Sequence, residues 1–303
     1  MSHPHIHVHD HKDLKGRKLL FTIILNIIIT VSQVIGGLIS GSLSLLSDAL
    51  HNFSDVLSLI VSYIADLYSK KEASSERTFG YKRAEIIAAF VNALSLILVA
   101  FYLIYEAVIR FIHPKTIESG IVIWLALLGI IANGLSVLLL RKDSKENINI
   151  RSAYLHLFSD MAASIAVLIG GLLMKYYNWF WVDSALTVLI AIYLLFIGYD
   201  LLKKSFKVLM LFTPEDLNLE LISESITKFP EINNVHHMHV WQLNDKEIHL
   251  EAHAEFNEDI SISQFDDILY KLEELLFSEF GINHVNIQPE YNKDDPKDII
   301  VQD

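Results

Sequence analysis

The chain has 303 residues, is 52% hydrophobic and has a mean hydropathy of +0.37, which is too apolar for an ordinary soluble protein of this length. It contains no cysteine, so a disulfide framework and a thiolate metal site are both excluded, and any metal chemistry must use carboxylates and the 14 histidines. The net charge of −12 argues against a nucleic-acid partner, which would want a basic surface.

Residues 1–18 form a polar arm in which His3, His5, His7, His9 and His11 alternate with other residues. This composition suits a flexible cation-collecting segment, and equally a disordered tail with incidental histidines. Acidic residues and many histidines ahead of the apolar run do not fit a secretory signal.

Six apolar segments follow, near 19–39, 45–68, 86–111, 119–140, 153–175 and 181–202. Each approaches or exceeds the roughly 20 residues that a bilayer-spanning helix requires. Gly36, Gly37, Gly41, Gly170 and Gly171 are placed to allow close helix approach. Lys and Arg cluster in the arm, at 70–83, at 141–151 and at 203–207, whereas the alternate connections are poor in them. By the positive-inside rule both termini are cytoplasmic. The fold expected for 19–208 is an all-α six-helix transmembrane domain.

Within it, His51 and Asp55 stand four apart, and so do His156 and Asp160. Four apart on a helix means one face, one turn up. Each pair offers an imidazole nitrogen and a carboxylate to the same side. Two such helices face to face would supply a tetrahedral His2Asp2 set suited to Zn²⁺. A lone His or Asp in an apolar helix is commonly a satisfied structural residue. Two matched pairs inside candidate spans are harder to read that way, because ionisable groups there face a partner, a cavity or a substrate path. Asp48, one turn earlier, is a candidate cavity residue; Asn26 and Asn133 suit interhelical hydrogen bonds, and Asp183 a cap on the sixth helix.

The last third is acidic: residues 209–303 carry 5 Lys and Arg against 21 Asp and Glu. Residues 209–292 read as a small cytoplasmic α+β domain of order αββαβ. A helix is expected from Thr213 to about Phe229, strands over Val235–Leu243 and Glu247–Phe256 joined at Asn244-Asp245, an amphipathic helix over Ile262–Phe280 stopped by Gly281, and a last strand over His284–Gln288. Residues 293–303 read as a charged, disordered tail.

These stretches together resemble the cation diffusion facilitator family. The residues that carry the likeness are Gly-Ser-Leu-Ser-Leu-Leu-Ser-Asp-Ala-Leu-His51-Asn-Phe-Ser-Asp55, Arg77-Thr-Phe-Gly-Tyr-Lys-Arg, His156-Leu-Phe-Ser-Asp160 and Val-His236-His-Met-His-Val-Trp241. With the His-rich arm, they are most similar to its bacterial zinc/cadmium efflux branch. The resemblance implies a homodimeric, proton-coupled antiporter of the inner membrane that exports Zn²⁺, Cd²⁺ and other divalent ions such as Co²⁺ from the cytoplasm. It also implies six membrane helices and a metallochaperone-like, ferredoxin-like cytoplasmic domain. It places the transported ion on His51, Asp55, His156 and Asp160, and assigns ion choice to His51.

It places dimer-interface metal ligands at His236 and His253, with Asp266, Gln288 and Glu290 at the other matching positions; His237, His239 and His249 could substitute. Strand alternation puts His236 and His237 on opposite faces, which argues against their sharing an ion. In the second–third loop, Arg77 and Tyr81 stand where some members have histidines, so no second site is expected there. Outside transport, an intramembrane zinc hydrolase would need a general base, usually within His-Glu-x-x-His, which is absent from the sequence. A membrane-bound divalent-metal sensor without transport is the alternative.

Overall fold

The computed structural model describes residues 10–69, 73–141 and 148–301. Six long helices come first: α1 Asp10–Ser40, α2 Leu43–Ser69, α3 Ala84–Ile112, α4 Ser119–Leu140, α5 Ile148–Tyr177 and α6 Trp181–Leu209. Segments Ala84–Ile112, Ser119–Leu140, Tyr154–Tyr177 and Trp181–Leu209 are long and apolar enough to cross a membrane, and α1 has a shorter apolar stretch over Ile24–Ser40. α2 carries Asp48, His51, Asn52 and Asp55 inside its span. Only 22–39% of each apolar window is buried within the chain. Large side chains such as Leu98, Trp124, Leu138 and Phe196 point outward. Outward-facing apolar helices suit lipid and not water. This is a multi-pass membrane protein.

α1 starts at Asp10, earlier than the apolar run, because the polar stretch before it continues the helix. His3, His5, His7 and His9 lie outside the described residues, as do Lys70, Lys71, Lys142 and Lys145. At Gly36 an added Cβ would lie 1.8 Å from the tip of the Leu125 side chain, so glycine lets Leu125 of α4 pack directly on the α1 backbone. Gly41 is needed for a different reason. No atom crowds it, and its φ of 73° makes the left-handed turn between α1 and α2.

The start of α2 is capped from a distance. Asp183, fully buried on α6, accepts hydrogen bonds from the Leu43 N–H (2.8 Å), the Ser44 N–H (3.2 Å) and the hydroxyls of Ser42 and Ser44 (2.6 Å each). The expectation that Asp183 caps its own helix is thereby corrected. The carboxylate meets the orphan donors and the positive end of α2, joining two helices 140 residues apart in sequence.

The remaining elements are α7 Leu219–Ile226, β1 Ile232–Gln242, β2 Ile248–Phe256, α8 Ile262–Phe280 and β3 His284–Glu290. The sheet order is β1-β2-β3, antiparallel between β1 and β2 and parallel between β2 and β3. The expected αββαβ order therefore holds. α8 has a full capping box, Ser261 with Gln264, and ends on Gly281 at φ 68°. Ile222, Ile226, Leu250, Ala252, Ala254, Leu272 and Leu276 fill the core between sheet and helices.

Two expectations fail here. α7 does not begin at Thr213; Pro214 sits in a turn that accepts from the Leu217 N–H (3.1 Å), and Asn218 caps the helix by accepting from the Leu221 N–H (3.1 Å). Residues 293–301 are not a loose tail. Asp298 and Ile299 accept hydrogen bonds from the N–H groups of His237 (3.1 Å) and Met238 (2.7 Å), and Ile299 packs on the core. The charge of the tail suggested disorder, but its one apolar anchor and two main-chain acceptors find partners on β1.

By internal contacts the chain forms two compact units, 1–61 with 91–200 and 62–90 with 201–303. In the second, the turn after α2 is held by Arg77, whose guanidinium lies 4.7 Å from the Tyr81 ring centre and donates to its hydroxyl. Lys82 pairs with Glu247 at 2.6 Å, and Phe79 meets the His249 ring edge-on.

Candidate metal centre

α2 and α5 bring both His-x-x-x-Asp pairs together. His51 Nε2 lies 3.5 Å from Asp160 Oδ1, and His156 Nε2 lies 3.1 Å from Asp55 Oδ2. Within each helix the pairs are 3.8 Å (His51–Asp55) and 3.5 Å (His156–Asp160) apart. The crossing order, 51 with 160 and 55 with 156, means that the two helices run antiparallel. His51, His156 and Asp160 each offer a ligand atom within 4.8 Å of the others, and Asp55 joins through its contact to His156. Both nitrogens of His51, both oxygens of Asp160 and Asp55 Oδ2 are buried without a hydrogen-bond partner among the described residues. Buried polar atoms are normally satisfied, and a cluster left in this condition has the donor chemistry of a cation site.

The site is lopsided. His51 and Asp160 are buried at 5% and 1% exposure, whereas the side chains of Asp55 and His156 are about a third exposed. Asp55 lies further along α2 toward Ser69, and His156 lies nearer the Ile148 start of α5. In an antiparallel pair these are the same end. The quartet is therefore open toward that end and closed toward the end where Asp183 caps α2.

Asp48, fully buried, does not join the ligand set. It accepts from Gln33 Nε2 (2.9 Å) and Ser164 Oγ (3.4 Å), while Asn52 donates to Gln33 Oε1 (3.2 Å). This network ties α1, α2 and α5 beside the ligands. Gln33 was not singled out from the sequence, although a buried amide in an apolar helix was the available signal. Tyr193 was also missed: its ring meets the His51 ring at 5.8 Å and its hydroxyl lies 3.3 Å from Ser159 Oγ. No spacing distinguishes it from the other aromatic residues of the apolar helices.

A second cluster lies on the face of the three-stranded sheet away from α7 and α8. His236 and His253 are opposite one another in the β1–β2 register, and with Glu290 and Asp295 they place four ligand atoms within 4.8 Å of one another. Glu290 Oε2 is 3.1 Å from His236 Nε2, and Glu290 Oε1 is 2.9 Å from His253 Nδ1. His236 Nδ1 bonds Asn234 Oδ1 at 3.0 Å, which leaves Nε2 as the lone-pair nitrogen aimed at the cluster. Burial lowers the His253 pKa, with nearby cationic charge adding to that shift and Glu290 opposing it. Burial alone would raise the Glu290 carboxyl, but hydrogen bonds from Lys293 and Gln288 hold it below its ordinary value.

Simple alternation fails at His237. Register is broken between His236 and His239, and His237 takes a φ of 49°. Both His236 and His237 rings consequently reach His253, at 5.5 and 4.7 Å. His237 is nonetheless outside the four-residue set. Gln288 supports Glu290 by donation (2.9 Å), and His249 stacks on Trp241. Asp266, on α8, is not among the four ligand candidates.

The cation efflux transmembrane domain family matches residues 19–210, and the cytoplasmic domain of cation efflux proteins matches 214–292. The chain belongs to the cation diffusion facilitator family. It is 39% identical over 289 residues to a cadmium, cobalt and zinc/H(+)-K(+) antiporter of Bacillus velezensis, covering 94% of this chain and 91% of the relative. It is 36% identical over 282 residues to the metal cation efflux system protein CzcD of Cupriavidus metallidurans (93% and 89% covered). It is 33% identical over 295 residues to the zinc transporter ZitB of Escherichia coli (96% and 93% covered). Family membership makes this chain a transporter, not an enzyme.

Proposed function

We propose that the protein exports Zn²⁺, and with it Cd²⁺, from the cytoplasm in exchange for protons. The carrying observation is the antiparallel quartet of His51, Asp55, His156 and Asp160, set among membrane helices with His51 and Asp160 buried and their ligand atoms without hydrogen-bond partners among the described residues. Two imidazoles and two carboxylates in a tetrahedral set suit Zn²⁺. The names of the relatives support zinc and cadmium as cargo.

Residues 19–208 form the transport domain, 1–18 a cytoplasmic arm and 209–292 a regulatory and dimerising domain in this reading. Both termini face the cytoplasm of a bacterial inner membrane, and the protein works as a homodimer. The open Asp55–His156 side then faces the cytoplasm. An arriving ion requires neutral imidazole and ionised carboxylate, so loading releases protons. Rocking of α2 and α5 exposes the quartet to the other side, where protons return and the ion leaves. In the cytoplasmic domain His236, His253 and Glu290 would hold a resident Zn²⁺ that favours one arrangement of the dimer; the orphaned Nε2 of His236 fits that role.

Reconstituted into proteoliposomes, the protein is expected to couple zinc entry to proton efflux, and Asp55→Ala to abolish both. Undiminished flux in that variant contradicts the site assignment. Zinc binding with no flux in the wild type favours a sensor.

A further inference from the structure

β3 ends at Glu290, and the chain beyond it returns to β1 instead of trailing away. The bulge explains where it lands. His236 pairs with His253 and His239 with Glu251, so the two residues between them have no partner in the β2 register. Their N–H groups donate to Asp298 and Ile299 instead. With Ile299 packed on the core, this fixes the far end of a strap whose near end is β3.

The strap crosses the cytoplasmic cluster. Asp295 Oδ1 comes within 3.7 Å of His236 Nε2. Lys293 pairs with Glu290 and, at 3.1 Å, with Asp295. Lys297 lies 2.5 Å from Asp295, 3.5 Å from Glu290 and 3.7 Å from Glu255. Two ammonium groups therefore hold the two carboxylates that face the histidines.

We propose that the chain closes this metal site with its own tail: Asp295 is the fourth ligand, and Lys293 and Lys297 are counter-cations that a divalent ion displaces. Three observations carry it. His236, 1% exposed, aims an Nε2 with no hydrogen-bond donor on it into the cluster, His253 Nδ1 is likewise buried without a hydrogen-bond partner, and Asp295 Oδ1 is held by Lys297 alone within 3.7 Å of His236 Nε2. Four ligand atoms from one chain already have the number that a tetrahedral ion needs. A divalent cation replacing two ammonium groups leaves the local charge unchanged, whereas protonated amines have no lone pair with which to ligate. The lysines stabilise the carboxylates without the ion and compete with it, so they raise the metal concentration at which the cytoplasmic domain responds. This rests on the reading of His236, His253 and Glu290 as a metal site.

The test uses full-length protein carrying Asp160→Ala to disable the membrane quartet, titrated with Zn²⁺ alone against a chromophoric chelator. Asp295→Asn is expected to weaken cytoplasmic binding ~10–100-fold. Lys293→Gln with Lys297→Gln is expected to tighten it about tenfold, a change that misfolding does not produce. Unchanged affinity in Asp295→Asn overturns the ligand role, and no tightening in the lysine variant overturns the displacement. If His253→Ala leaves the zinc stoichiometry intact, the cytoplasmic site itself is refuted. If His253→Ala abolishes binding while the tail variants match the parent, only the tail proposal falls.

Discussion

In the membrane helices, the ion-pair partners of Asp55 and Asp160 among the described residues are histidines alone. In the cytoplasmic domain, Glu290 and Asp295 face two histidines as well, but Lys293 and Lys297 also hold them. The donor types are nearly the same, and the surroundings differ in cationic charge. Carboxylates buried among apolar helices without an ammonium partner are costly, and protonation or a metal ion relieves that cost. Such a site suits alternation between two kinds of cation, as the proposed exchange requires. Carboxylates already paired with lysine sit in a settled state that metal must disrupt, as a threshold device requires. The donor types alone would not separate these two uses.

The largest way to sharpen the contrast acts on the donors. His51→Asp replaces an imidazole with a harder oxygen ligand in the membrane quartet. The ratio of Mn²⁺ to Cd²⁺ transport in inverted vesicles should rise on the order of tenfold. An unchanged ratio counts against His51 as the selecting ligand. Inverted vesicles containing the tail variants should keep the parental ratio, because the proposed role of that cluster is regulation and not choice of cargo.

A smaller effect tests the scaffold behind the quartet. Asp183→Asn removes a carboxylate that receives four hydrogen bonds at the start of α2. One amide oxygen cannot replace two carboxylate oxygens there, and the loss should destabilise the helical domain by about 2–3 kcal/mol. Thermal unfolding of the detergent-solubilised protein measures this. A melting temperature equal to that of the parent would show that the contact does not secure α2.

The smallest concerns the start of β2, the central strand of the sheet. Burial, with the neighbouring His284 charge, holds His249 below its ordinary pKa of 6.5. The folded state then prefers the neutral ring. The stabilisation is fully present above about pH 6.5 and is lost as the pH falls through the lowered folded-state value. Hydrogen exchange of the β2 amides should therefore quicken as the pH falls below about 6.5, after correction for intrinsic rates. His249→Phe, which keeps an aromatic ring beside Trp241, should flatten that dependence. A dependence that persists unchanged assigns it to another group.

Much of this was legible in the sequence where the signal is periodic. The helical spacing of His51 with Asp55 and of His156 with Asp160 identified the quartet, and the alternating runs identified β1 and β2. Contacts distant in sequence were not legible. Asp183 reads as a local cap because its true partners, Ser42 to Ser44, lie far up the chain. His237 reads as facing away from His236 because nothing local marks a bulge whose N–H groups donate to residues 298 and 299 instead of to β2. The tail reads as disordered because charge is conspicuous in sequence, whereas the carboxylates and histidines that receive it come together only in the fold. Thr213-Pro214-Glu215 looked like a helix start, but Asn218 provides the cap nearer the apolar face of α7.

The most direct test of the central claim, that the quartet carries the ion, is radiolabelled Zn²⁺ uptake by inverted vesicles under an imposed proton gradient, comparing wild type with His156→Ala and Asp160→Asn. Gradient-driven uptake in the wild type and background uptake in both variants, with equal amounts of folded protein in the membrane, is the predicted result. Uptake at the wild-type rate in either variant would contradict it.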